Sequence, residues 1–204
     1  LSTLSLFTVM QWGKSPGHII YDQFHRWRAP LPANDIVIIG VDDASLEELG
    51  GWPLKRLVYA DLLKKLADTG NQPKAIGFDL LFLDPTFDDE ALAQRLRRFN
   101  TVLPLEFRIQ EDIKPTLKPT LPVTPLAQAA SIGHINLSFD PDGLIRGIQL
   151  SEQSWPHFAL LLHAKNQTPT ATDLAGTGYR RFRMVDPTIG FPMVSLTDAI
   201  QDNY

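Results

Sequence analysis

Residues 36–84 constrain the fold more than any other stretch. Ile36-Val-Ile-Ile-Gly-Val41 is an apolar run, β-branched at most positions and closed by Asp42-Asp43. Such a run suits a strand buried on both faces of a parallel sheet. From Leu54 to Thr69, Leu54, Val58, Leu62 and Leu66 make a stripe that Leu63 and Ala67 widen, while Lys55, Asp61, Lys64, Lys65 and Asp68 take the other side. That periodicity predicts an amphipathic helix lying on a sheet, with Pro53 at its first position and Gly70 just past its end. A second strand follows over Ala75–Phe82, carrying Asp79. Strand, helix and strand in this order make a parallel crossover.

The pattern then repeats. Asp88-Asp89-Glu90 places negative charge at a helix start, Leu92, Leu96 and Phe99 form its stripe, and Thr101–Phe107 reads as a third strand, which Pro104 assigns to an edge or a strand end. Pro115, Pro119, Pro122 and Pro125 make 113–125 an extended connection that supports neither ladder nor helix. A short helix is expected over 126–130. Ile135–Phe139, the turn Asp140-Pro-Asp-Gly143 and Leu144–Leu150 read as an antiparallel hairpin. A helix over Phe158–Lys165, a strand over Tyr179–Val185 and a last helix capped by Ser195-x-x-Asp198 complete the chain. The predicted class is α/β in three layers: a mixed, mainly parallel sheet with helices on both faces and an antiparallel hairpin in the second half.

The chain of 204 residues, 44% of them hydrophobic, suits one domain with one sizeable core. It contains no cysteine, which removes any disulfide or thiolate metal site. A net charge of −4 and scattered basic residues argue against a nucleic-acid partner. Leu1–Met10 is apolar but half the length of about 20 residues that a bilayer span needs, so residues 1–20 are either the end of a transmembrane helix or a loose segment, and residues 21–204 are the domain proper.

Three blocks in order identify a family. Asp42-Asp43-Ala-Ser45-Leu46 with Gly50-Gly51-Trp52-Pro53 and Arg56, then Ile76-Gly77-Phe78-Asp79 with Phe82, then Gly133-His134-Ile135-Asn136 with Asp140-Pro-Asp142-Gly143 and Arg146 resemble the type-two CHASE domain, an extracytoplasmic sensory module of bacterial membrane-bound cyclases, histidine kinases and related receptors. The resemblance covers roughly Tyr21–Asp198. It implies a periplasmic, non-enzymatic sensor anchored in the inner membrane through flanking helices, acting as a homodimer and answering a small-molecule or ionic stimulus. It further implies one more strand and membrane-spanning helices past the helix that starts near Ser195.

For chemistry, Asp42, Asp43 and Asp79 stand at or near carboxyl ends of strands, where α/β sheets bind ligands. With Asp84, Asp88 or Asp89 folding over them they form a candidate site for an amine, a hydroxylated solute or a divalent cation. Trp52, Arg56, His134 and Asn136 complete the ligand-binding candidates. No catalytic residue and no resident cofactor are called for; a divalent cation stays open, with Asp42 and Asp79 as its ligands. The bland alternative makes Asp43 and Asp88 helix caps and pairs Asp79 with loop backbone or Arg56. Two other readings stand beside the sensor. One is a Mg²⁺-dependent aspartate-based phosphoacceptor or phosphohydrolase, whose expected partner residues are not in place. The other is a structural dimerisation domain without a ligand.

Overall fold

The computed structural model describes residues 16–70, 72–110, 116–166, 178–181 and 189–201. Their contacts form two compact units, one drawn from Leu1–Ile38, Leu137–Ile148 and Tyr179–Met193, the other from Ile39–Asn136, Gln149–Gly178 and Val194–Tyr204. Among the described residues no helix is long and apolar enough to cross a membrane. Residues 1–15 and 182–185, for which a membrane-helix end and part of a strand are expected, lie outside the described residues.

The larger unit is organised by one long strand, β3 (Thr101–Gln110). On one edge β2 (Ile76–Gly77) pairs with it in parallel at Thr101 and Val102, and β4 (Thr116–Thr120) pairs antiparallel from Glu106 onward. On the other edge β5 (Ser131–His134) runs parallel to Val102–Leu105. Pro104 is therefore central, not at an edge. It falls between the last partner of β2 and the first of β4, where its missing N–H leaves no ladder bond unmade, and this also ends β2 after two residues. The Pro-rich connection in turn contains a strand. Pro119 sits opposite Phe107, whose own N–H and C=O are taken by the Asn136 side chain, so no ladder bond is asked of the proline.

Helices cover both faces. On one, α3 (Arg56–Asp68) and α4 (Asp89–Leu96) place Leu62, Leu63, Leu92 and Leu96 in a buried cluster with Phe78, Phe82 and Leu103. On the other, α6 (Phe158–Asn166) crosses so close that a Cβ on Gly77 would lie 2.7 Å from a Leu162 methyl, and one on Gly133 2.8 Å from the Phe158 backbone. Shorter elements complete the unit: α2 (Asp43–Leu49), α5 (Thr124–Ala127), α7 (Leu196–Gln201) and the hairpin β7 (Ser151–Glu152) to β8 (Trp155–Pro156). The hairpin turns through Gln153 and Ser154 in left-handed conformation (φ 46° and 71°), which suits a two-residue connection.

Several boundaries move. The run Ile36–Val41 is no doubly buried strand: only Ile38–Gly40 (β1) is a strand, among the described residues it pairs with Met193–Ser195 (β10) alone, and Ile36, Val37 and Ile38 stay exposed. Helix α3 starts at Arg56, after Lys55 in extended conformation, and the Trp52–Pro53 bond is cis. The strand expected over 135–139 ends instead at His134, because Asn136 bonds Phe107 through its side chain in place of a ladder. The turn at 140–143 does close, with Gly143 N donating to Asp140 O and Asp140 N to Leu144 O, both at 2.8 Å, but no ladder flanks it. Its second arm, β6 (Gly147–Gln149), pairs with β9 (Tyr179–Arg181).

The close crossing of α6 carries a prediction. Gly133→Ala drives a Cβ into the Phe158 backbone and should lower stability by about 1–3 kcal/mol in denaturant melts, while Gly178→Ala, with open space around it and no left-handed φ, should be near neutral.

Candidate functional site

The expected acidic site separates into constellations with different partners. Asp42, not Asp43, caps α2: its Oδ1 accepts from Ser45 N (2.9 Å), Ser45 Oγ (2.6 Å) and Ser195 Oγ (3.0 Å). These bonds, Ser45's first, lower the Asp42 pKa. Asp43 and Asp79 are exposed, and Trp52 is exposed beside its cis bond. Among the described residues, the group able to offer three metal ligands is His18, Asp140 and Asp142, to which neither Asp42 nor Asp79 belongs.

Arg56 forms the second constellation. It is buried, donates from Nε to Asp89 Oδ1 and from Nη2 to the Asp84 carbonyl, both at 3.0 Å, and lies 4.5 Å over the Phe82 ring. Its carboxylate partner is thus Asp89 and not Asp79. Asp89 also accepts from Thr86 N and Thr86 Oγ1, so the start of α4 is held by its own first acid, while Asp88 stands at the cap position without a side-chain bond. The Thr86-x-x-Asp89 spacing of a capping box was the sequence signal for this role. Around that corner opens a cleft of about 420 Å³, lined by Pro85–Phe87, Asp89, Glu90 and Val123–Pro125. Its walls are mostly apolar with a few polar groups, and its size lies within the roughly 300–1,000 Å³ common for small-ligand sites.

The third constellation is a histidine pair. His134 is wholly buried at the end of β5, and His157, just before α6, packs edge-on against it with ring centroids 4.9 Å apart. His157 Nδ1 accepts from Ala159 N at 3.1 Å, which assigns its proton to Nε2 in the neutral form. Neither nitrogen of His134 nor Nε2 of His157 has a well-formed partner, and the Gln149 backbone favours protonated His134 only weakly. Burial first, and the second imidazole after it, press the His134 pKa down to about 4; burial lowers that of His157 as well. Nothing in the sequence marks His157 as the neighbour of His134. Asn136, two residues on, braces Phe107 N and O with both ends of its amide.

The fourth lies in the smaller unit. Arg146 is wholly buried and its guanidinium meets Asp22 (2.7 and 2.8 Å), Asp140 (2.8 Å) and Asp142 (2.8 and 2.9 Å). Its hydrogen bonds hold the Asp142 carboxyl far below the ordinary range, and the three carboxylates hold the guanidinium charged. His18 Nε2 lies 3.8 Å from Asp140.

The CHASE2 domain family matches residues 2–203, essentially the whole chain. The chain belongs to the CHASE2 family. CHASE2 is an extracytoplasmic sensory domain of membrane receptors, and its role there is not catalytic. No curated protein and no solved structure matches the chain. Within this CHASE2 domain Arg56 and Arg146 each hold a buried carboxylate network, and His134 and Asn136 sit on β5 and just past its end.

The histidine pair sets a pH dependence. Because the folded pKa of His134 lies below its unfolded value of 6.5, the unfolded chain takes the proton first. Stability is then full above pH 6.5, falls as pH drops from 6.5 to about 4, and levels off below; at about 1.4 kcal/mol per unit the loss is roughly 3 kcal/mol. His134→Asn should make that segment of a stability–pH profile shallower, leaving the part due to His157, and an unchanged slope would remove His134 as a source.

Proposed function

We propose that this domain is the periplasmic sensor of a bacterial inner-membrane receptor, which passes a small-molecule or ionic stimulus to a cytoplasmic effector such as an adenylate or diguanylate cyclase or the histidine kinase of a two-component system. The observation that carries the reading is the family match over residues 2–203. The stimulus is received at the cleft beside Arg56 and Asp89, because there an apolar wall, the exposed Phe87 and the carboxylate of Glu90 converge next to a corner that Arg56 ties to α4. Of the residues read as ligand-binding candidates only Asp89, an alternative to Asp84 and Asp88, lines the cleft itself; Arg56 and the Asp84 carbonyl are bonded to each other behind it. A bound solute favouring one position of the 84–90 loop over another would shift its population, whereas one binding both equally would signal nothing.

Thermal melts of the chain with EDTA, Mg²⁺, Ca²⁺ and a panel of small polar solutes test this, repeated in Phe87→Ser and Glu90→Gln. A true ligand at a hundredfold excess over its dissociation constant stabilises by about 2.7 kcal/mol, and the cleft variants should abolish that gain. A gain that survives them and disappears in Asp42→Ala would relocate the site.

A further inference from the structure

Helix α1 (Pro16–Trp27) packs the wrong way round for a surface helix. The side it turns to its own unit is polar: Asp22 on Arg146, Tyr21 under the Arg181 guanidinium at 5.0 Å, His18 by Asp140, and buried His25. The side it presents to solvent is apolar, with Ile20 70%, Phe24 51% and Trp27 81% exposed. A helix on a globular core does the reverse. Three large apolar side chains left out on one face mark a contact.

Their spacing says what fits. Ile20, Phe24 and Trp27 follow one another by four and three residues, the seam along which two helices interlock at a shallow angle. We propose that this face is the contact between two copies of the chain, α1 against α1 in parallel; the parallel sense rests on the receptor reading, in which both copies rise from one membrane. The seam carries no charge. Its flanks are Gln23 and Arg28, and in parallel register Gln23 of one copy meets Arg28 of the other five residues on, an amide against a cation with no like charges opposed. A lipid surface fits less well. Helices that lie on membranes carry Lys and Arg in number on the face opposite their apolar one, whereas here the sequence gives that face a single arginine, Arg26, offset by Asp22 and set among two histidines in a chain of net charge −4. Aromatic side chains of roughly 150–250 Å² each, at these exposures and with Ile20, leave on the order of 400 Å² per copy, so the pair stays below the standard size of specific interfaces. The contact is weak between free chains and strengthened when two copies share a membrane.

The absence of cysteine makes the test direct. Single-cysteine chains Ile20→Cys and Phe24→Cys should cross-link between copies under mild oxidation at least tenfold faster than Phe87→Cys, whose side chain is fully exposed on the other unit. Adding Trp27→Glu, on a residue whose side chain reaches solvent, should remove that advantage. Equal rates at all three positions, or an advantage indifferent to Trp27→Glu, overturn the proposal. So does flotation of the unmodified chain with phosphatidylglycerol vesicles that Trp27→Glu abolishes, which would assign the face to lipid. Equal cross-linking rates in a chain that still shows a cleft-dependent ligand shift would reject the interface and leave the sensor reading standing.

Discussion

The guanidinium of Arg146 is the interaction on which the smaller unit depends. Among the described residues the buried apolar cluster is drawn entirely from the larger unit, and helix α1 and the 137–148 segment contribute nothing to it. They meet around a wholly buried cation with three carboxylates about it, one reached across 124 residues of sequence. A buried ion pair is weak evidence of net stabilisation, because desolvation offsets much of its attraction, but it is demanding of geometry. Arg146 therefore determines which side of α1 faces inward. The outward apolar side follows from it, since a helix that spends its polar residues on docking has only its apolar residues left to show.

The larger unit is built on the opposite logic. Strand β3 has ladder partners on both edges and helices on both faces, and glycine at 77 and 133 lets α6 approach the sheet to van der Waals distance. Its polar groups serve as clamps: Arg56 ties α3 to the loop ahead of α4, Asp42 and Ser45 tie α2 to Ser195 ahead of α7, and Asn136 completes the edge of β3 where a strand would otherwise run. The cleft lies beside the first of these clamps.

Sequence showed the helices better than the strands. The stripe from Leu54 to Leu66 sufficed for α3, because burial of one helical face is a local periodic signal. Proline misled in both directions: Pro104 lies mid-strand and Pro119 in a ladder, since each points its missing N–H where no acceptor waits, a matter of register that no single segment reveals. The run Ile36–Val41 was read as buried because apolarity stood for burial, yet three of its side chains are exposed. At the sites, motif blocks pointed to the right neighbourhoods but not to the partners. Asp89, Asp22 and His157 complete the Arg56, Arg146 and His134 constellations from 33, 124 and 23 residues away, and only the tertiary fold selects them.

Arg146 and Asp22 act as one unit in orienting α1. A double-mutant cycle of Arg146→Leu and Asp22→Leu, read by amide hydrogen exchange across Tyr21–His25 with α4 as the internal reference, measures it most directly. The double variant should lose less protection than the two single losses combined, with a coupling energy on the order of 0.5–3 kcal/mol. Strictly additive losses, or protection in α1 unchanged by Arg146→Leu, would contradict it.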